Sequence, residues 1–115
     1  MSDFIAPKPG EWDGEQRPLF LAPMSGVTDL PYRLLAKECG ADYTITEFTN
    51  STALTRDAAM SWRKMETCDD ENPFIPQIFG GVIEDMALAA ELLEDTADLI
   101  AVSYTHLTLP TIFGV

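Results

Sequence analysis

Short apolar runs alternate with more polar, helix-like segments along this chain. Four of the apolar runs are rich in residues that favour β-structure, and each is followed by polar or Gly/Pro-containing sequence, which predicts four strands. The predicted strands are Leu19–Met24, Tyr43–Phe48, Phe74–Phe79 and Asp98–Val102. Pro23 interrupts the first run and Gly80 follows the third, so these two strands are expected to end in turns.

The segments between the predicted strands have helical periodicity. Thr28 is the expected N-cap of a first helix, Pro31 is tolerated in its first turn, and Gly40 is a natural stop. The expected apolar stripe of this helix consists of Leu30, Leu34 and Leu35. Residues 50–64 are expected to be helical in part.

The clearest predicted helix is Ile83–Asp95. Its expected buried face consists of Ile83, Met86, Ala87, Ala90 and Leu93, with the acidic side chains towards water. Strands that alternate with helices indicate an α/β protein with a parallel sheet. About three and a half β/α units are predicted.

Charge is distributed unevenly over the 115 residues. The net charge is −12, and all seven basic residues lie at or before Lys64. Because nucleic-acid binding needs basic surface, the later part of the chain is not expected to grip RNA. Cys39 and Cys68 match no metal-ligand spacing and are expected to be free thiols. No apolar run is long enough to span a membrane and no signal segment opens the chain, so a cytoplasmic protein is expected.

Three motifs occur in order. They are LAPMSGVTDLPYRLLAKECGAD at 21–42, TEF at 46–48 and PQIFG at 76–80. Together they resemble the N-terminal part of tRNA-dihydrouridine synthases, over roughly Arg17–Ile100. The resemblance implies the N-terminal part of a TIM (β/α)8 barrel, which needs eight β/α units. It also implies FMN as cofactor, NADPH as reductant, and reduction of uridine to 5,6-dihydrouridine in tRNA.

The resemblance assigns candidate cofactor-binding residues. Pro23, Met24 and Ser25 would line the flavin, and Gln77 would contact it. Gln77 also stands out in its own right, because a polar side chain within an apolar strand needs a partner. Glu47 is a possible site-lining residue, which either orients a neighbour in the site or lies at a wet barrel rim.

The chain departs from the family after the fourth predicted strand. The family has an Asn-x-Gly-Cys-Pro loop there, whose Cys is the general acid; here Ser103 replaces the Asn and His106 replaces the Cys. No catalytic residue is therefore assigned, and no metal ligand. The phosphate-gripping loops, a catalytic-site Lys and the helical tRNA-binding domain of the family are also missing, so tRNA would be bound through regions absent here, and the truncated chain is expected to be inactive alone.

The expected organisation is an irregular leader at residues 1–17, a partial FMN-binding barrel domain at 18–101, and a tail at 102–115. The tail resembles nothing in the family. It is interpreted as non-native sequence, of the kind produced when adaptor DNA is translated at the end of an incomplete gene, or else as a divergent natural end. Two other functional hypotheses stay open: a different FMN-dependent TIM-barrel oxidoreductase acting on a small molecule, and a non-catalytic fragment with no ligand.

Overall fold

The structure, a computed structural model, describes residues 17–104. Within this range the chain forms four strands and four helices. In chain order they are β1 (Phe20–Leu21), α1 (Leu30–Glu38), β2 (Tyr43–Asn50), α2 (Ser51–Thr55), α3 (Ala59–Arg63), β3 (Ile75–Gly80), α4 (Ile83–Leu93) and β4 (Ala101–Tyr104). The predicted leader up to residue 16, the tail from residue 105 and His106 lie outside the described residues.

The four strands form one parallel sheet in the order β1-β2-β3-β4. Each connection between neighbouring strands contains at least one helix. A sheet whose strand order never reverses is singly wound, as in a (β/α)8 barrel, whereas doubly wound folds contain a switch point. The predicted fold class, α/β with part of a TIM barrel, is therefore confirmed.

Two Ala-Asp pairs start strands in the same way. The Asp42 side chain accepts a hydrogen bond from the Leu19 N–H (2.7 Å), and the Asp42 N–H donates to the Leu19 carbonyl (2.8 Å). Asp98 makes the corresponding pair of bonds with Phe74, at 2.8 and 2.9 Å. Each aspartate thus ties the entry of its own strand to the entry of the preceding strand.

The boundaries of β1 and β4 differ from the predicted ones. Pairing of β1 stops at Leu21, because the chain turns at Met24, whose carbonyl accepts from two later N–H groups. Pairing of β4 starts only at Ala101, opposite Gln77, since Asp98 is occupied in holding Phe74. The strand then runs to Tyr104 and so includes the first three residues of the predicted tail.

The start of α1 corrects the sequence prediction. Asp29, not Thr28, is the N-cap, and its Oδ1 accepts from the Tyr32 N–H at 3.0 Å. Thr28 is fully buried and its hydroxyl is used in the preceding loop instead. Leu35, predicted in the apolar stripe, is 58% exposed, and the buried residue of the helix is Arg33.

The buried face of α4 also differs in part. Ile83 is 69% exposed and Ala87 is exposed, whereas Ala89, which was not predicted, is fully buried. The helix packs against α2 and β3, so its position between these two elements decides which face is covered. The main core lies here, between the sheet and the helices, and consists of Leu54, Met65, Ile78, Ala89 and Leu93.

Candidate functional site

The loop after β1 is closed by hydrogen bonds between Met24 and Thr28. The Thr28 hydroxyl accepts from the Met24 N–H (3.0 Å) and donates to the Met24 carbonyl (3.2 Å), which also accepts from the Thr28 N–H. Gly26 has a φ of +77°, a left-handed conformation that favours glycine. The loop therefore has a fixed shape at the carboxyl end of β1, where (β/α)8 barrels carry their active sites.

The loop holds the three predicted flavin residues at different depths. Pro23 is half-buried, Met24 is 37% exposed and Ser25 is exposed. Met24 and Ser25 are thus accessible to a ligand, although the backbone N–H and carbonyl of Met24 are already hydrogen-bonded within the loop.

Glu47 fixes the same loop from the neighbouring strand. Its side chain is almost fully buried, and its Oε1 accepts from the Gly26 N–H at 2.7 Å. This contact joins the end of β2 to the loop after β1. The geometry is that of a carboxylate that orients a neighbouring backbone segment.

A β-bulge in β2 accompanies this placement of Glu47. Ile45 lies opposite Ile75 and Phe48 lies opposite Gln77, so β2 advances three residues where β3 advances two. The Thr46 hydroxyl fills the gap in the ladder by accepting from the Gln77 N–H (2.9 Å). Bulges of this kind redirect a side chain locally, and the short sequence around TEF gave no sign of one.

Gln77 has one satisfied and one unsatisfied side-chain atom. Its Nε2 donates to the Ser103 hydroxyl at 2.9 Å, whereas its Oε1 is buried and has no hydrogen-bond partner among the described residues. A buried acceptor without a donor costs about 1–3 kcal/mol. Such an atom fits a ligand that brings an N–H group, and the edge of a flavin ring carries one.

A cavity of about 530 Å³ lies beside the loop after β1. Ser25 and Glu47 line it, together with Arg63 and Lys64 from the end of α3. Gln77, Pro23 and Met24 are not among its lining residues. The structure therefore brings two of the five predicted site residues into one cavity and places Gln77 apart, on the sheet.

Beneath the loop lies a buried cluster that the sequence analysis missed. The Arg33 guanidinium binds both carboxylate oxygens of Glu71, at 2.6 and 3.0 Å, and donates to the carbonyls of Thr28 (3.0 Å) and Glu66 (2.7 Å). The hydroxyls of Thr44 and Thr67 donate to the same carboxylate. The cluster thus connects α1, β2 and residues 66–71 to the carbonyl at the end of the loop.

Lys37 lies at the edge of this cluster. Its Nζ donates to the carbonyls of Asp42 (3.0 Å) and Asn72 (3.2 Å). Burial lowers the pKa of Lys37 below its ordinary value of 10.5, and the nearby negative charges of Glu71 and Asp42 offset this only in part. Leu30, Arg33 and Lys37 share one face of α1, a spacing that could have indicated buried cations.

Other site types are not visible in the described part of the chain. In residues 17–104, no group of three or more His, Cys, Asp or Glu side chains is placed to hold a metal ion. Over the same residues, no helix has the length and apolar character needed to cross a membrane. Cys39 and Cys68 are both free and exposed.

Comparison with known proteins identifies the class to which this barrel-like unit belongs. The family described as Dihydrouridine synthase (Dus) matches residues 20–102. This match covers more than half of the chain, and it includes the loop after β1, Glu47 and Gln77. The chain therefore belongs to the dihydrouridine synthase family.

Curated relatives agree with this assignment. The chain is 40% identical over 84 residues to a probable tRNA-dihydrouridine synthase of Rhizobium leguminosarum bv. phaseoli, covering 72% of this chain and 26% of the relative. It is 35% identical over 86 residues to tRNA-dihydrouridine synthase B of Klebsiella pneumoniae, covering 74% and 27%. The chain thus spans about a quarter of the length of these relatives. No solved structure matches it.

Proposed function

We propose that this chain forms part of the flavin-binding barrel of an FMN-dependent tRNA-dihydrouridine synthase. The proposed reaction is reduction of uridine to 5,6-dihydrouridine in tRNA, with NADPH as reductant, in the cytoplasm. Family membership and the names of the relatives support the reaction class. FMN, when bound, would supply the hydride transfer.

The observation that carries the proposal is the Oε1 of Gln77, which is buried and has no hydrogen-bond partner among residues 17–104. Gln77 would hold the flavin by accepting a hydrogen bond from an N–H at the ring edge. Ser103 orients the amide, because its hydroxyl accepts the Nε2 hydrogen bond and so leaves Oε1 as the available atom. The cofactor would therefore satisfy a group that the described part of the chain leaves unpaired.

The loop after β1 would provide the second contact, through the backbone and side chains of Pro23, Met24 and Ser25. Thr28 and Glu47 would support cofactor binding without touching the cofactor. Thr28 bonds to Met24 and Glu47 bonds to Gly26, so the loop is held in shape at both positions before a ligand arrives. Such preorganisation lowers the entropic cost of binding.

Flavin binding tests this proposal. The chain is titrated with FMN, and the quenching of flavin fluorescence reports the dissociation constant. Gln77→Ala should weaken binding by about 1–3 kcal/mol, or roughly 5- to 150-fold, because the partner of the ring N–H is lost. Thr96→Ala is the control, since Thr96 is exposed, lies just after α4 and donates its hydroxyl to the carbonyl of Leu93, the last residue of that helix. Equal FMN affinity in both variants would remove Gln77 from the site.

Activity gives a second test. We expect no dihydrouridine when this chain is incubated with tRNA, FMN and NADPH, because Ser103 and His106 stand where the family has Asn and its acid Cys. Mass spectrometry of the digested tRNA provides the measurement. Dihydrouridine above the level of an enzyme-free reaction would show that another group in this chain donates the proton.

A further inference from the structure

The cavity beside the loop after β1 has a different character from the surroundings of Gln77. Its volume of about 530 Å³ lies within the usual range for small-ligand pockets, roughly 300–1,000 Å³. Glu47 lines the cavity, and so do Arg63 and Lys64 at the end of α3. Two more acidic residues, Asp29 and Glu66, also line it, together with the buried Arg33. The cavity thus offers an acceptor and a pair of cations to one ligand.

The carboxylate of Glu47 can accept further hydrogen bonds. Its Oε1 receives the Gly26 N–H, but its Oε2 has no partner among the described residues. A carboxylate has about four lone-pair sites and only accepts hydrogen bonds. Because Glu47 is only 9% exposed, a ligand that reaches it must bring donors in order to replace the lost water.

Arg63 and Lys64 bring positive charge to the same cavity. Among residues 17–104 neither forms an ion pair or a side-chain hydrogen bond, although the chain as a whole carries a net charge of −12. The Lys64 Nζ lies 6.0 Å from the centroid of the Phe48 ring, and Phe48 is 40% exposed. Phe48 does not line the cavity, so the contribution of Arg63 and Lys64 is two cations without an ion-pair partner among the described residues, and such cations suit the phosphate of a nucleotide.

We propose that this cavity binds a guanine nucleotide, with the base on Glu47 and the phosphate on Arg63 and Lys64. Guanine is the natural base that presents two N–H donors side by side, at N1 and N2, and these match a carboxylate. The guanidinium of Arg63 suits a phosphate because its N–H groups form a planar fork. The two ends of the ligand are therefore recognised by opposite charges.

The proposed nucleotide has two possible sources with the same chemistry. It is either a nucleotide of an RNA strand, which rests on the proposed tRNA substrate, or a free guanine nucleotide, which does not. Neither source requires flavin. Failure of the Gln77 test and failure of this proposal are therefore distinguishable.

Calorimetric titration of the 115-residue chain, without FMN, tests the proposal. The probes are GMP, AMP, guanosine and inorganic phosphate. GMP should bind about tenfold more tightly than each of the other three, because each of them lacks one of the two recognised ends. GMP binding no tighter than AMP or inorganic phosphate would overturn the proposal.

Variants test which residues bind the phosphate of GMP and which bind its base. Arg63→Ala combined with Lys64→Ala should weaken GMP about tenfold, while Arg56→Ala, which removes a cation outside the cavity, should not. Glu47→Gln keeps an acceptor for Gly26 but should abolish the preference for GMP over AMP. Unchanged GMP affinity in the double variant, or an unchanged base preference in Glu47→Gln, would contradict the assignment.

A short single-stranded oligoribonucleotide distinguishes the sources. Tighter binding of a guanine-containing oligonucleotide than of GMP supports RNA as the source. Tighter binding of GMP supports a free nucleotide. An oligonucleotide without guanine that binds as tightly as one with guanine would overturn recognition of the base.

Discussion

Two buried polar regions of this protein differ in how completely their hydrogen bonds are satisfied. Around Glu71, both carboxylate oxygens are used, and they receive the Arg33 guanidinium and two threonine hydroxyls. At Gln77, the amide nitrogen has a partner and the buried oxygen has none among the described residues. Within residues 17–104, the first region therefore has all of its hydrogen bonds satisfied, whereas the second lacks a donor for one buried oxygen.

This difference separates a structural role from a binding role. A fully satisfied buried network fixes the elements that it joins and leaves little for a ligand to gain. A buried orphan atom destabilises the unliganded protein and is relieved when a ligand supplies the missing donor. Mutation of the two regions should therefore affect different measurements.

The largest effect is expected for Glu71→Ala. The substitution leaves the Arg33 guanidinium buried without its counter-charge, and breaking a buried ion pair in this way costs about 3–5 kcal/mol. The free energy of unfolding, measured with urea, should fall by this amount. Asp70→Ala in the same segment is the control, since Asp70 is exposed and a surface change of this kind stays within about 0.5 kcal/mol.

Replacing both Arg33 and Glu71 tests whether the unpaired buried charge causes the loss of stability. Arg33→Met combined with Glu71→Leu should lose less stability than Glu71→Ala alone, because no charge remains buried and unpaired. Equal losses would show that the packing of Glu71, rather than its charge, is what stabilises the protein.

A smaller and opposite result is expected at Gln77. Gln77→Met removes one hydrogen bond to Ser103, worth about 0.5–1.5 kcal/mol, but it also removes an orphan acceptor that costs about 1–3 kcal/mol. The free energy of unfolding without ligand should therefore stay unchanged or rise, even though FMN binding is weakened. A loss of stability as large as that of Glu71→Ala would make Gln77 a structural residue like Glu71.

Local patterns predicted the order and type of the elements well. The strands at Tyr43 and Phe74 and the helix at Ile83 begin within one residue of their predicted positions, because apolar periodicity and Gly/Pro signals act over short distances. Gln77 and Glu47 also stand out from local signals, since a polar residue in a strand is visible in the sequence alone, and their roles as site residues stay predictions.

Features that depend on distant partners were not predicted. Arg33 and Glu71 are 38 residues apart in the chain, and nothing local to either residue indicates the other. Thr28 and Asp29 are both good capping residues, so the sequence does not separate them. The hydrogen bonds between Thr28 and Met24, and the bond from the Tyr32 N–H to Asp29, decide between them. The cavity likewise depends on the approach of α3 to the loop, which no sequence spacing specifies.

The smallest expected effect is the pH dependence that Lys37 adds at the edge of the satisfied cluster. Because burial lowers the pKa of Lys37 in the folded protein below 10.5, the unfolded chain binds more protons than the folded chain between the lowered pKa and 10.5. The unfolding free energy contributed by Lys37 should therefore rise with pH through this window and stay constant below it.

The measurement is urea denaturation of the parent chain and of Lys37→Met as a function of pH. The difference in unfolding free energy between the two proteins should rise towards pH 10.5. Lys37→Arg, which stays charged throughout, should lack the same rise. A difference between the parent chain and Lys37→Met that stays flat up to pH 10.5 would show that the contacts of Lys37 with Asp42 and Asn72 compensate fully for its burial, and that the satisfied region extends to the lysine as well.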